Sequence, residues 1–431
     1  MHLLRDLEKI WDGTSSPFLI SGYREISFSN ILDSDEIDLS SIRAGDVVAL
    51  IGDFNPETIS ALLRLIDMAV ILVPLTIATQ ADHEYFFEQA LVDVVIEDGC
   101  IRRINHCQKH SLIEELRLSG HAGLVLFSTG TTGRPKAILH DFDKFLKRYR
   151  TPRPALRTLN FLLFDHIGGI NTLFHTLFNR GVVIAPSTRS VESVLECCAK
   201  YEVEVLPTTP TFLRMMLISG LLRDWASDAL RIITYGTERM DQPTLDDLCD
   251  ALPKIEFRQT YGMSELGILR VSSVGNRSLY MRIGGEGIET SVREGVLHIR
   301  STTRMLGYLN APSPFDEQNW YKTGDLVDQV GDTYRIVGRV NDVINVGGLK
   351  FVASEVEKVA LDYPGVALAK VIGKSNPITG QHAELTVQPI FGSSIDKENL
   401  LIYLKANLQG HMVPRRILID LVPVGHRFKR G

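Results

Sequence analysis

The chain is poor in the features that would tie it to metal, membrane or nucleic acid. Its 431 residues hold only five cysteines, Cys100, Cys107, Cys197, Cys198 and Cys249, and none of their spacings is that of a metal site. Free, buried thiols in a reducing compartment are therefore expected. No apolar run reaches the length of a membrane span, and the N-terminal "MHLLRDLEKIWDG" carries charges throughout, unlike a signal peptide. Both absences point to a cytoplasmic protein without a membrane span. Positive charge is not in excess: the formal net charge is -6, which argues against a broad nucleic-acid surface. Internal repeats and low-complexity stretches are also missing. So is the Walker spacing: in "LFSTGTTGRPKAIL", Gly133 is followed by Arg134 and Lys136 by Ala137. What remains is an ordinary globular composition, 44% hydrophobic and 23% charged, on a chain long enough for two or more domains.

That same stretch is rich in anion-binding chemistry. Gly130 and Gly133 let backbone N–H groups approach a phosphate closely, Ser128, Thr129, Thr131 and Thr132 add hydroxyl donors, and Lys136 adds a mobile charge. Alone, such a cluster is as readily a polar turn after the strand "GLVLF". The surroundings give it more weight. "DVVALIG", "AVILVPL", "DVVIED", "GLVLFS", "GVVIAP", "VEVLPTTP" and "LRIITYG" read as buried strands alternating with helices such as "NPETISALLRLIDM" and "VESVLECCAKY". This alternation predicts an α/β fold with a largely parallel sheet covered by helices, ligands sitting beyond the C-terminal strand ends. "GLVLF" runs into the phosphate-binding candidate and "IITYG" into Gly236, Thr237 and Glu238, so the two loops are expected to face one crevice. After Gly284 the strands become short and bounded by Gly, Asp and Asn, the texture of antiparallel structure. The last part has its own βαββα-like pattern, which predicts a large N-terminal α/β domain over 1–340 and a small C-terminal α+β domain over 341–431.

Taken together, these segments resemble the adenylate-forming superfamily of acyl-CoA synthetases, luciferases and peptide-synthetase adenylation domains. "LFSTGTTGRPKAILH" resembles its phosphate loop, with Ala137 where glycine is usual. "FDHIGGINTLFHTL" resembles the segment carrying a gating histidine, although Asp165 before His166 departs from the pattern. "TYGTERM" resembles the adenine loop, "QTYGMSELGIL" the Tyr-Gly-x-Ser/Thr-Glu motif, and "YKTGDL", "VGRVNDVINVGGLKF" and "VPVGHRFKR" follow in the family's order. The resemblance runs over nearly the whole chain. It implies that Tyr261 stacks on adenine beside Gly262 and Ser264, that Asp325 holds the ribose hydroxyls and Arg339 a ribose or phosphate oxygen, and that Glu265 is both a catalytic residue and the magnesium ligand. It implies His166 as the acid-pocket gate and Lys429, six residues after Pro423, as the catalytic lysine, with Phe428 where glycine is usual. Asn341 falls at the hinge, and Gly347, Gly348 and Lys350 would line the path of a thiol arm once the small domain rotates.

The implied activity is AMP-forming ligation. ATP and Mg2+ activate a carboxylic acid as its adenylate, and the acyl group passes to the thiol of coenzyme A or of the phosphopantetheine on an acyl carrier protein. "HIGGINTLF" and "TTPTFLRMM" suggest an apolar pocket for a fatty, branched or aromatic acid, and the motifs look closer to free-standing acyl and aryl ligases than to peptide-synthetase domains. Two other readings stay open: an amino acid adenylation enzyme, with Asp165 binding the α-ammonium, and a nucleotide-binding relative without catalysis. Arg427, Lys429 and Arg430 would form a small basic patch for an acidic carrier. The phosphate loop also begins several tens of residues earlier than is usual in the family, so N-terminal decoration is expected to be absent.

Overall fold

Each early apolar run forms a strand with no exposed side. In Val47–Ile51 every residue is buried, and its neighbours Ile71–Leu75 and Val94–Glu97 pair with it in parallel. The helix Pro56–Asp67 crosses between them. It starts where Asn55 accepts a hydrogen bond from the Thr58 N–H at 2.8 Å and Pro56 occupies the first turn. The computed structural model describes residues 2–22, 24–34, 36–104, 108–128, 133–223, 225, 227–425 and 427–428.

The strand–helix alternation divides between two seven-stranded sheets. In the first, the parallel strands Gly123–Phe127, Ile71–Leu75, Val47–Ile51 and Val94–Glu97 are flanked by antiparallel Ala137–Asp141 and Gly307–Tyr308 on one side and Cys100–Arg103 on the other. In the second, Glu256–Gln259, Ile232–Tyr235, Val205–Thr208, Arg157–Leu159, Val182–Ala185 and Leu19–Ser21 run parallel, with Arg24–Ile26 antiparallel at the edge. One core takes side chains from both sheets, among them Leu50, Leu124 and Leu126 from the first and Leu19 and Val183 from the second, and the helices Leu3–Trp11, Pro56–Asp67 and Ile167–Phe178 lie in it. Two further cores cover the outer faces. Local pattern does not encode this partition: Leu19–Ser21 finds its partner Val182–Ala185 far along the chain.

A six-stranded antiparallel sheet follows, from Arg270–Ser273 to Thr333–Arg339, and beyond it lies the smaller α+β domain. That domain is built on the hairpin Val366–Asn376 and Gly380–Pro389, which is longer than the short strands the sequence suggested. Val343–Val346, Leu349–Val352 and Arg416–Ile419 complete its sheet, and the helices Ala353–Leu361 and Lys397–Asn407 enclose a core of its own. The thiols only partly match expectation. Cys198 and Cys249 are buried, but Cys197 is half-buried and Cys100 exposed, while Cys107 lies outside the described residues. Among the described residues no helix is long and apolar enough to cross a membrane.

Where the small domain meets the large one, backbone approaches closely. A Cβ on Gly338 would stand 2.2 Å from Val352 Cγ1, so no side chain fits there. Arg214, on the helix Pro210–Ile218, is only 8% exposed. It donates to the carbonyls of Ala367 at 3.0 Å and Val366 at 3.2 Å, and to Thr244 Oγ1 at 2.9 Å. Removing a buried charged donor leaves its acceptors unsatisfied, at a cost of about 1–3 kcal/mol. Arg214→Ala should therefore lower the melting temperature in calorimetry, and an unchanged melting curve would show that these bonds do not hold the domains together.

Candidate active site

Strand register builds the centre of the site. Asp325 on Tyr321–Val330 lies directly opposite Arg339 on Thr333–Arg339, and Arg339 Nε donates to Asp325 Oδ1 at 2.9 Å. The other oxygen, Oδ2, accepts the Tyr261 hydroxyl at 2.6 Å. Asp325 is 2% exposed, so both partners are needed to keep its charge tolerable. Burial, and then the neighbouring carboxylate, push the Tyr261 phenol well above its ordinary range, so it remains a donor. Tyr261, Asp325 and Arg339, picked from separate motifs, thus meet in one cluster.

The phosphate-loop candidate closes at its base: the Ser128 N–H donates to the Lys136 carbonyl and Ser128 Oγ accepts from the Lys136 N–H, each at 3.0 Å. Asn310 grips the exit, accepting from the Ala137 N–H at 2.9 Å and donating to the Pro135 carbonyl at 3.1 Å. Among the described residues nothing lies within 4 Å of where a Cβ on Gly133 would stand. Thr129, Gly130, Thr131 and Thr132 lie outside the described residues. Lys136 Nζ stands 4.8 Å from the Tyr308 ring centroid, and the Tyr308 hydroxyl donates to Glu265 Oε1 at 2.8 Å. Burial and Glu265 together push the Tyr308 phenol upward, which keeps its proton on the bond. Among the described residues no three metal-ligating side chains cluster. Glu265 alone suits Mg2+, a hard cation that takes one or two carboxylates and completes its shell with phosphate oxygens and water.

Ser264 is held through its backbone. His140, in the middle of Ala137–Asp141 and 2% exposed, donates from Nε2 to the Ser264 carbonyl at 2.6 Å. Burial lowers its pKa to about 4, so the ring is neutral. Sequence reading missed His140 and Tyr308, because nothing in a strand pattern shows that a histidine reaches a carbonyl so far along the chain.

The adenine-loop candidate is fixed by contact. A Cβ on Gly236 would fall 2.1 Å from Thr260 Oγ1, and Thr237 has the left-handed φ of +68°. Glu238 caps the helix Pro210–Ile218, its Oε2 accepting from the Thr211 hydroxyl at 2.6 Å and the Thr211 N–H at 3.2 Å. His166 begins the helix Ile167–Phe178, its Nδ1 accepting from the Gly168 N–H at 3.0 Å. It lines a small cavity with Phe161, Leu162, Leu163, Thr237, Arg427 and Phe428. The C-terminal tail thus enters the crevice. Arg427 Nη2 donates to Asp165 Oδ2 at 3.0 Å, and the Phe428 ring packs 4.9 Å from Phe161 and 5.7 Å from Phe212. Two expectations change. Asp165 is engaged by an arginine instead of being offered to an α-ammonium, and Arg427, 11% exposed, is not part of a surface basic patch. Lys429 lies outside the described residues. Gly347 and Gly348 form the exposed turn between Val343–Val346 and Leu349–Val352, both with positive φ and with nothing near their Cβ positions. Lys350 beside them is exposed as well, and among the described residues no contact brings these three to the crevice.

Residues 119–309 match the family described as AMP-binding enzyme. That match and the relatives below support an acyl-CoA synthetase-like enzyme, and the fold is that of adenylate-forming enzymes. It is 24% identical to a feruloyl-CoA synthase of an Amycolatopsis species, over 92% of this chain and 89% of that one. It is 28% identical to a 2-succinylbenzoate–CoA ligase of Bacillus licheniformis, over 74% and 70%. The o-succinylbenzoate CoA synthetase of Bacillus subtilis, solved with its acyl-adenylate intermediate, superposes with a TM-score of 0.79 at 20% identity, over 99% of this chain and 96% of that one. The AMP-binding match and the acyl-CoA ligase relatives support an AMP-forming acid–thiol ligase.

The buried His140 yields a pH signature. A histidine free in the unfolded chain titrates near 6.5, whereas in the fold it takes a proton only near 4. As pH falls between those values the unfolded chain binds the proton first, so stability is full above 6.5 and declines toward 4, by up to about 3 kcal/mol. His140→Gln keeps a donor for Ser264 and removes the titration. Its melting temperature should vary less with pH across this window than the parent's, and identical pH profiles would contradict the assignment.

Proposed function

We propose that this enzyme activates an aromatic carboxylic acid as its acyl-adenylate and transfers the acyl group to the thiol of coenzyme A. One observation carries this reading: Arg427 of the C-terminal tail reaches the carbonyl of Phe127, the end of Gly123–Phe127, and with Phe428 lines a small cavity beside His166 and Thr237 that is walled by Phe161, Leu162 and Leu163. The relatives named for feruloyl and succinylbenzoyl thioesters favour an aromatic acid.

The chemistry follows from the placements. A carboxylate is a poor electrophile, and attack of its oxygen on the α-phosphorus of ATP makes a mixed anhydride as pyrophosphate leaves. Such transfer depends on positioning and on balancing charge. The loop from Ser128 to Lys136 grips the departing pyrophosphate. Tyr261 faces the adenine ring, and the Asp325–Arg339 pair meets the ribose. Glu265 would hold Mg2+, which would supply positive charge against that of the phosphates. His166 stands at the acid pocket, and Lys429 reaches the α-phosphate and the carboxylate oxygen. The small domain then turns about Asn341, which withdraws the tail and brings Gly347, Gly348 and Lys350 to the crevice to admit the thiol arm. A carrier protein presents the same pantetheine thiol and is the second candidate acceptor. The engagement of Asp165 by Arg427 speaks against an amino acid substrate.

The test is pyrophosphate release with ATP and Mg2+ over a panel of aryl, fatty and amino acids, each with and without coenzyme A. Release with an aryl acid, stimulated by coenzyme A and lowered by at least ~100-fold in Lys429→Ala, is expected. A signal confined to amino acids, or no dependence on Lys429, would overturn the proposal.

A further inference from the structure

Asp165, where this chain departs from its family's pattern, is in contact with Arg427, the neighbour of a second departure, Phe428. Asp165 precedes the gating histidine, and Arg427 with Phe428 precedes the catalytic lysine. We propose that Asp165 and Arg427 form a clamp that seats the C-terminal tail in the crevice for adenylate formation and opens for thiol transfer. Both are positioning residues. The proposal rests on the reading of Lys429 given above, since Lys429 follows directly on Phe428.

Three contacts make the seat. The Arg427 guanidinium donates to Asp165 Oδ2 at 3.0 Å, and at 3.4 Å to the Asp165 and Phe127 carbonyls, so it joins the end of a first-sheet strand to the start of the His166 helix. The Phe428 ring packs against the touching pair Phe161 and Phe212, both fully buried. The Phe428 carbonyl accepts the Thr209 hydroxyl at 2.7 Å, one residue before the helix that Glu238 caps. Phe428 has a φ of +53°, a left-handed conformation unfavourable to any residue with a Cβ. This accounts for glycine as the usual occupant, and here aromatic packing offsets the strain.

The pair is built to break. Arg427 makes one short bond to the carboxylate, and Asp165 Oδ1 and Arg427 Nε have no hydrogen-bond partner among the described residues. The fixed pair Arg189–Asp53 is different, with two parallel bonds at 2.9 and 3.0 Å. A buried ion pair tolerates the loss of neither partner, which makes tail seating depend on both. Once the tail withdraws, the clamp has no part in the second half-reaction.

The experiment separates the two half-reactions. Adenylation is read as ATP–pyrophosphate exchange with the preferred acid. Transfer is read as thioester formation from chemically prepared acyl-adenylate and coenzyme A. Asp165→Asn and Arg427→Gln should each slow exchange by about 50-fold, with no further loss in the double variant, and leave transfer within about twofold of the parent. Arg427→Lys, which keeps the charge, should recover part of the exchange. Loss of exchange in Lys429→Ala but not in Arg427→Gln overturns the clamp and leaves the reading of Lys429 standing, while no loss in either variant overturns both. A parallel fall in both half-reactions at an unchanged melting temperature also overturns the clamp. Where a variant melts early, Arg427→Lys decides: recovery of exchange over transfer upholds the clamp, and equal recovery of the two overturns it.

Discussion

A charge that cannot be left unpaired organises this site. Asp325 is almost wholly out of solvent, and its two oxygens take donors from Tyr261 and Arg339. The three residues come from separate segments: the Tyr-Gly-x-Ser-Glu turn, a long strand of the antiparallel sheet, and the last strand residue before the small domain. Satisfying one carboxylate therefore fixes where all three can lie. His140 does the same for the neighbouring turn, where a neutral buried imidazole holds the Ser264 carbonyl, and Tyr308 brings Glu265 beside Lys136.

The remainder of the crevice arises from the way two sheets pack. Each supplies one strand end, and neither holds a complete site. The tail bridges them, with Arg427 reaching Phe127 in the first sheet while Phe428 rests on Phe161 and Phe212 beside the second. A site built this way can be taken apart without unfolding either sheet. That suits an enzyme whose two reactions need different residues at one place.

Much of the fold was legible in the sequence, because continuous apolar runs and capping signals such as Asn55-Pro56 act locally. The division into two sheets was not, since a buried strand has the same composition in either. The site divides along the same line. Ser128, Lys136, Tyr261, Glu265, Asp325 and Arg339 are candidates because motifs carry them, and the register of Asp325 with Arg339 follows from strand pairing. His140, Tyr308 and Arg427 act through contacts that cross the chain. The sequence leaves Asp165 open as a ligand for an amine in the alternative amino acid reading, because its partner Arg427 lies at the other end of the chain.

The proposed chemistry turns on which bond of ATP the acid attacks. The most direct measurement is a turnover with an aryl acid labelled with 18O in its carboxylate, followed by mass spectrometry of the products. Attack on the α-phosphorus predicts one labelled oxygen in AMP and none in pyrophosphate. Label in inorganic phosphate with ADP as the nucleotide product, or unlabelled AMP, would contradict it.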